Sequence, residues 1–172
     1  MKKITVFFLA FVLLLGGCTV QSVQNPSLFI ERFMQKHPEF HVEKDGMFYD
    51  GNNSVVFMEN QSGRRFAMEM TVDSADRVQK ISLAGVEADK AYEFYYLAEC
   101  VAETYAPEED FDAAAKLLFC GESYSYHETQ WYYYCFSQNE TGLYFCIENK
   151  RFAPQKEERL TLRENETSIS VR

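Results

Sequence analysis

The residues of this sequence that could do chemistry are few, and their spacing does not assemble a catalytic set. There are three histidines. His37 and His41 stand four apart, but Pro38 lies between them, so they do not share a helical face as the histidines of an H-E-x-x-H zinc site do. His127 is followed by Glu128 in a segment that reads as loop. All three read as ordinary surface or core histidines. Gly121-Glu122-Ser123-Tyr124-Ser125 has half of a G-x-S-x-G nucleophile elbow. It lacks the second glycine, and it runs from a helix toward a strand, the reverse of the order an elbow needs. Gly121 is better explained as the end of a helix. The acidic run Glu108-Glu109-Asp110-Phe111-Asp112 lacks the residue order and distal glutamate of a calcium loop. It suits the first turn of a helix, where carboxylates complement the dipole. A glycosidase needs two carboxylates at a set separation, and no pair here is marked out. No metal and no cofactor is expected.

Cysteine chemistry is better marked. Met1-Lys2-Lys3 forms a positive start, and Ile4 to Leu15 is apolar apart from Thr5. Leu15-Gly16-Gly17-Cys18 closes the run. The stretch from Ile4 to Gly17 is 14 residues, shorter than the ~18–20 of a spanning helix. Leu, two small residues and Cys at this place resemble the lipobox of bacterial lipoproteins. The resemblance covers residues 1–18 only. It implies that residues 1–17 are a cleaved signal peptide, and that the Cys18 thiol is diacylated and anchors the chain on the outer side of the cell membrane. Two acyl chains give a stable anchor where one gives marginal binding. No family resemblance is evident for the mature part.

The other four cysteines are Cys100, Cys120, Cys135 and Cys146. An even number in an exported domain reads first as disulfides. No C-x-x-C pair supports a redox or zinc motif. Cys135–Cys146 follows from hairpin register, as derived below. Cys100–Cys120 is left by elimination, and Cys100 falls on the polar face of its helix. With a lipobox present, the N-x-[ST] triplets at Asn52, Asn60, Asn139 and Asn165 read as accidental.

Of 172 residues, 155 remain once 17 are cleaved, enough for one domain. Loss of Lys2 and Lys3 moves the formal charge from −9 to −11. Such an acidic domain repels nucleic acid and anionic head groups, so no nucleic-acid partner is expected. Aromatic residues make up 16% of the chain, enough to build a core rather than a disordered segment.

The elements that would position these residues are legible in part. Residues 18–25 form a lipidated polar tether. Asn25-Pro26 opens a helix with Phe29, Ile30, Phe33 and His37 on one face, and Pro38 stops it. From Phe40 the period changes to two. Segments near 40–44, 47–50 and 54–60 are separated by Asp45-Gly46 and Gly51-Asn52-Asn53. Arg65 to Val72 alternates, and a turn at Asp73–Asp76 would put Met68 opposite Ile81 and Phe66 opposite Leu83. Glu87 to Tyr105 reads as a helix with Phe94, Leu97, Ala98, Val101, Ala102 and Tyr105 buried. A second helix starts at Pro107 and ends at Gly121. Strands at Thr129–Ser137 and Leu143–Lys150 flank a loop at Asn139-Glu140-Thr141-Gly142, which sets Cys135 opposite Cys146. The order is helix, about four strands, two helices, two or more strands. That makes one α+β domain over 26–153, a mostly antiparallel sheet with its helices segregated to one side. The polar segment 154–172 either adds an edge hairpin at Leu160-Thr161-Leu162 and Ile169-Ser170-Val171 or stays loose.

One face of the last hairpin carries Tyr132, Tyr134, Phe136, Leu143, Phe145 and Ile147, a core face. The other carries Trp131, Tyr133 and Tyr144 with the two cysteines. A solvent face normally carries polar residues. Either another element covers these aromatics, or they form a contact strip for a protein, peptide or sugar. The expected function is a non-enzymatic binding or interaction module tethered to the membrane. The alternatives are an envelope hydrolase with unmarked catalytic residues, and an inhibitory or structural lipoprotein.

Overall fold

The computed structural model describes residues 25–43, 47–85, 91–140 and 142–151. The expected signal peptide, Cys18 and the segment from 154 onward lie outside these residues. The order is α1 (Pro26–Lys36), β1 (Phe40–Val42), β2 (Phe48–Asp50), β3 (Asn53–Asn60), β4 (Arg65–Val72), β5 (Val78–Gly85), α2 (Ala91–Tyr105), α3 (Phe111–Leu118), β6 (Tyr124–Glu128), β7 (Tyr132–Asn139) and β8 (Gly142–Asn149). The chain is α+β. The order is helix, five strands, two helices and three strands; the early segments total five rather than about four, and β6 is the strand the sequence did not mark.

The eight strands form one sheet in the order β1-β3-β4-β5-β8-β7-β6, with β2 also paired to β3. Every pairing is antiparallel. β8 enters the middle of the sheet, between β5 and β7. It therefore joins the early meander to the last three strands and makes one continuous core beneath both.

Alternation explains which face is covered. Met58 and Val56 of β3, Met68 and Met70 of β4, Ile81 and Leu83 of β5, Phe145 and Ile147 of β8, and Tyr134 and Phe136 of β7 are all buried. The stripes of the helices join the same cluster: Phe29, Ile30 and Phe33 from α1, Phe94, Leu97, Ala98 and Val101 from α2, and Phe111, Ala114 and Leu118 from α3. Asn25 caps α1, its Oδ1 accepting from the Leu28 N–H at 2.8 Å, with Pro26 in the first turn. Gly85 lets β5 pass under α2, since a Cβ there would stand 2.7 Å from Phe94 Cδ2.

Three local expectations are corrected. The β4–β5 register is shifted by two residues, with Met68 opposite Leu83 and Met70 opposite Ile81. The turn is wider than four residues because the Asp73 carboxylate accepts from the Ala75 and Arg77 N–H groups, and a bulge lies between Thr71 and Val72. A shift of two keeps the same side chains on the same face. Next, α3 starts at Phe111 rather than Pro107. Glu108 and Glu109 do not sit in its first turn; they accept from the Tyr132 hydroxyl at 2.9 Å and the Thr129 hydroxyl at 3.0 Å. Finally, the stretch holding His127 is a strand, not a loop. The last hairpin keeps the expected register: Cys135 faces Cys146 and Phe136 faces Phe145. No described helix is long and apolar enough to cross a membrane.

Candidate functional site

The helices cover one face of the sheet and no described element covers the other. On that second face the register lines residues into cross-strand rows. One row runs Tyr124, Ser137, Tyr144, Ala84, Ala67, Phe57. The next runs Tyr126, Cys135, Cys146, Ser82, Glu69, Val55, Phe48. The third begins Glu128, Tyr133, Glu148, Lys80, Thr71. Aromatic rings therefore gather at the β6–β7–β8 end, with a smaller pair, Phe48 and Phe57, at the far end.

Of the three aromatics expected as a strip, Tyr133 and Tyr144 lie on this face and are half-buried, not fully open. Tyr133 stacks on Tyr126 with ring centroids 5.9 Å apart, and the Lys150 ammonium sits 5.0 Å above the Tyr133 ring. Lys150 is held in place by the Glu128 carboxylate and the Thr129 carbonyl. The Tyr144 hydroxyl donates to Ser82 Oγ at 3.0 Å. Trp131 lies just before β7, 38% exposed, with the Arg151 guanidinium 5.4 Å from its ring. Tyr133 and Tyr144 stand two rows apart, so the strip is discontinuous at its expected members. Tyr124 and Tyr126 fill it out, and both are exposed. Alternation of Tyr124 and Tyr126 with Ser125 and His127 was the sequence signal for them.

Between those tyrosines lie Cys135 and Cys146, with sulfurs 2.6 Å apart. The structure holds no closed disulfide among Cys100, Cys120, Cys135 and Cys146. The expected Cys100–Cys120 bridge is not made. Cys120 is exposed beyond the end of α3, whereas Cys100 is 2% exposed. On the side of α2 that reads as polar, Tyr96 and Glu103 stay exposed, but Cys100 is enclosed because α1 packs against α2 and its C-terminal turn closes over it.

That turn builds a second cluster. α1 ends at Lys36, and His37 and Glu39 follow before β1. His37 is buried, with Nδ1 3.8 Å from Glu39 Oε1. The Tyr96 hydroxyl donates to the same carboxylate oxygen at 2.6 Å and stacks its ring on Phe40. One turn along α2 stands Cys100. Donor atoms of His37, Glu39 and Cys100 all lie within 4.8 Å of one another. Burial pulls the His37 imidazole below its ordinary value, and the Tyr96 hydroxyl holds Glu39 below the carboxylate range. Burial pushes the Cys100 thiol up to about 12. At neutral pH the cluster is thus a neutral imidazole, a carboxylate and a thiol. His37 Nε2 is buried with no hydrogen-bond partner among the described residues. The sequence holds no local motif for this cluster, because a turn and a distant helix supply its parts.

A third feature is a shallow groove between α2 and α3, lined by Tyr92, Tyr95, Glu99, Asp112 and Phe119 among others. Burial raises Glu99, and the charges of Glu103 and Asp112 raise it further. Among the described residues, no histidine, serine or cysteine lines the groove to complete a nucleophile–base pair. Comparison of the chain with protein-family models, with curated proteins and with solved structures finds no match.

Proposed function

We propose that this chain is an exported protein, acylated at Cys18, whose mature domain is a non-enzymatic contact module. Its uncovered sheet face meets a protein or peptide partner in the cell envelope. The observation that carries this reading is the gathering of Tyr124, Tyr126, Tyr133 and Tyr144 on the face that no described helix covers. The core does not need them there, since the covered face already buries its own aromatic set. Tyrosines on a rigid sheet offer large contact area at small ordering cost, and the Lys150–Glu128 pair supplies a charged rim. A protein partner is favoured over a sugar because the rings are spread over several strands rather than gathered around one cavity. The anchor rests on the Leu15-Gly16-Gly17-Cys18 pattern.

Site-specific photo-crosslinking in living bacteria tests the surface. A photoreactive residue at position 126 should capture a discrete protein partner, and one at position 117, exposed on α3, should not. Equal capture at both positions, or none at 126, refutes the contact face. The anchor is tested by labelling with a fatty-acid probe: Cys18→Ser should lose the label and leave the membrane fraction.

A further inference from the structure

We propose that His37, Glu39 and Cys100 bind one zinc ion. The site lies between α1 and α2, on the helix side of the sheet, and is independent of the open face.

The donor types come first. An imidazole nitrogen, a thiolate sulfur and a carboxylate oxygen are the three protein ligands zinc takes, at bond lengths of about 2.0–2.3 Å. Calcium and magnesium need several oxygens, and this cluster offers one carboxylate. Geometry comes next. Three donors around one tetrahedral zinc stand about 3–4 Å from each other. Here all three lie within 4.8 Å, and the His37–Glu39 pair is already at 3.8 Å. Small side-chain rotations close the remainder. Cys100 is fixed on a packed helix, while His37 and Glu39 sit on a turn that can adjust.

The groups around the cluster suit a metal better than they suit one another. Cys100 is a thiol with acidic neighbours, which does nothing for Glu39. Zinc would change that. The Sγ–H bond breaks, the Sγ–Zn bond forms, and the proton leaves to solvent. Thiolate and carboxylate then balance the two positive charges, and the buried group is neutral overall. Tyr96 serves as the outer partner: its hydroxyl holds Glu39 Oε1 at 2.6 Å and orients the carboxylate. Glu39 and Tyr96 are the more exposed members and form the entrance. Three protein ligands leave a fourth position for water.

The test uses the full chain, purified in detergent from bacterial membranes and stripped with chelator. Zinc titration by calorimetry should give one ion per chain. X-ray absorption at the zinc edge should show one sulfur with nitrogen and oxygen donors. Cys100→Ser and His37→Gln should abolish binding, and Tyr96→Phe should weaken it about 10- to 100-fold. Glu39→Gln, at the entrance and undemanding of the fold, should weaken it at least tenfold. Cys120→Ser should leave it unchanged. If Cys100→Ser fails to fold, the absorption spectrum of the unaltered protein and the Glu39→Gln titration decide alone. Absence of stoichiometric binding, a shell with no sulfur, a two-sulfur shell that points to Cys135 and Cys146, or unchanged affinity in Glu39→Gln overturns the site.

Discussion

Tyr134 and Tyr133 are consecutive in β7 and meet opposite surroundings. Tyr134 is 1% exposed, with the rings of Phe111 and Phe145 at 5.9 and 6.5 Å. Tyr133 is half-buried, stacked on Tyr126 and capped by Lys150. The same contrast crosses the sheet from strand to strand. Met68 and Leu83 lie under the helices, while their neighbours Ala67 and Ala84 face outward. On the covered face the rows are mainly apolar and closed, with Ser54 and Ser125 buried among them. On the open face small, charged and aromatic residues share rows. Apolar bulk on the first face is demanded by folding. Aromatic bulk on the second is not, so it asks for another reason.

The contrast predicts large costs on one face and small costs on the other. Phe145→Ala should destabilise by about 3–5 kcal/mol, because it empties a packed site between α3 and β7. Tyr126→Ala, in an open-face row, should stay within about 0.5 kcal/mol. Urea unfolding of both variants measures this. Similar losses would mean that the outer face is packed too, and the proposed contact surface would fall. Gly85→Ala probes the covered face from the other direction. Its Cβ would press on the Phe94 ring at 2.7 Å, so overpacking should cost about 1–3 kcal/mol.

Two hydroxyls on the covered face sharpen the picture. The Tyr132 hydroxyl donates to Glu108 Oε1 at 2.9 Å. The Tyr134 hydroxyl is buried with no hydrogen-bond partner among the described residues. Tyr132→Phe should cost about 1–2 kcal/mol, while Tyr134→Phe should be neutral or stabilising by up to about 1 kcal/mol. Thermal or urea unfolding of the pair would expose a reversed order at once.

How much of this was legible follows from where the signals are local. The stripe Phe94, Leu97, Ala98, Val101, Ala102 and Tyr105 is a run at helical period, and all six are buried as read. The Cys135–Cys146 register followed from one short turn at Gly142. The β4–β5 register was misjudged because the Asp73 side chain builds a wider turn, which composition alone does not reveal. β6 was missed because its alternation is inverted: Tyr124 and Tyr126 face outward, and the inward Ser125 and His127 are polar and give no core stripe. The acids at Glu108 and Glu109 were read as helix charges because their true partners, Tyr132 and Thr129, come later in the chain. Of the contact strip, Trp131, Tyr133 and Tyr144 were marked by residue type, but their separation depends on register and on where β7 starts. The His37–Glu39–Cys100 cluster was illegible, since it exists only once α1 docks on α2.

That docking carries a pH signature. Burial holds the His37 imidazole below its ordinary value of 6.5, so near that pH the unfolded chain binds a proton that the folded chain does not. Stability should therefore fall as pH drops through about 6.5 toward the depressed folded value. Glu39, held down by the Tyr96 hydroxyl, adds a further loss as pH falls through the carboxylate range. Unfolding in chelator at pH 7.5 and 5.5 would be compared, buffer values of about that spacing being enough to bracket the imidazole. The unaltered protein should be weaker at the lower pH, and His37→Gln should lose most of that difference. An equal drop in both would place the acid sensitivity elsewhere.

The smallest expected effect concerns Trp131, the single tryptophan. It is 38% exposed and outside β7, and the Arg151 guanidinium stands 5.4 Å from its ring. An exposed cation–π contact contributes about 0.5–1 kcal/mol, so Trp131→Ala should cost no more than that. Its emission should be that of a partly water-exposed indole and should be quenched by iodide. A buried indole would instead give blue-shifted, unquenched emission and a loss of about 3–5 kcal/mol on truncation. The two readings differ severalfold in stability and oppositely in colour. A packed Trp131 would mean that a segment of chain covers this end of the sheet. The boundary between the two faces would then lie farther out than β7, and Tyr133 would belong with the core rather than with the contact surface.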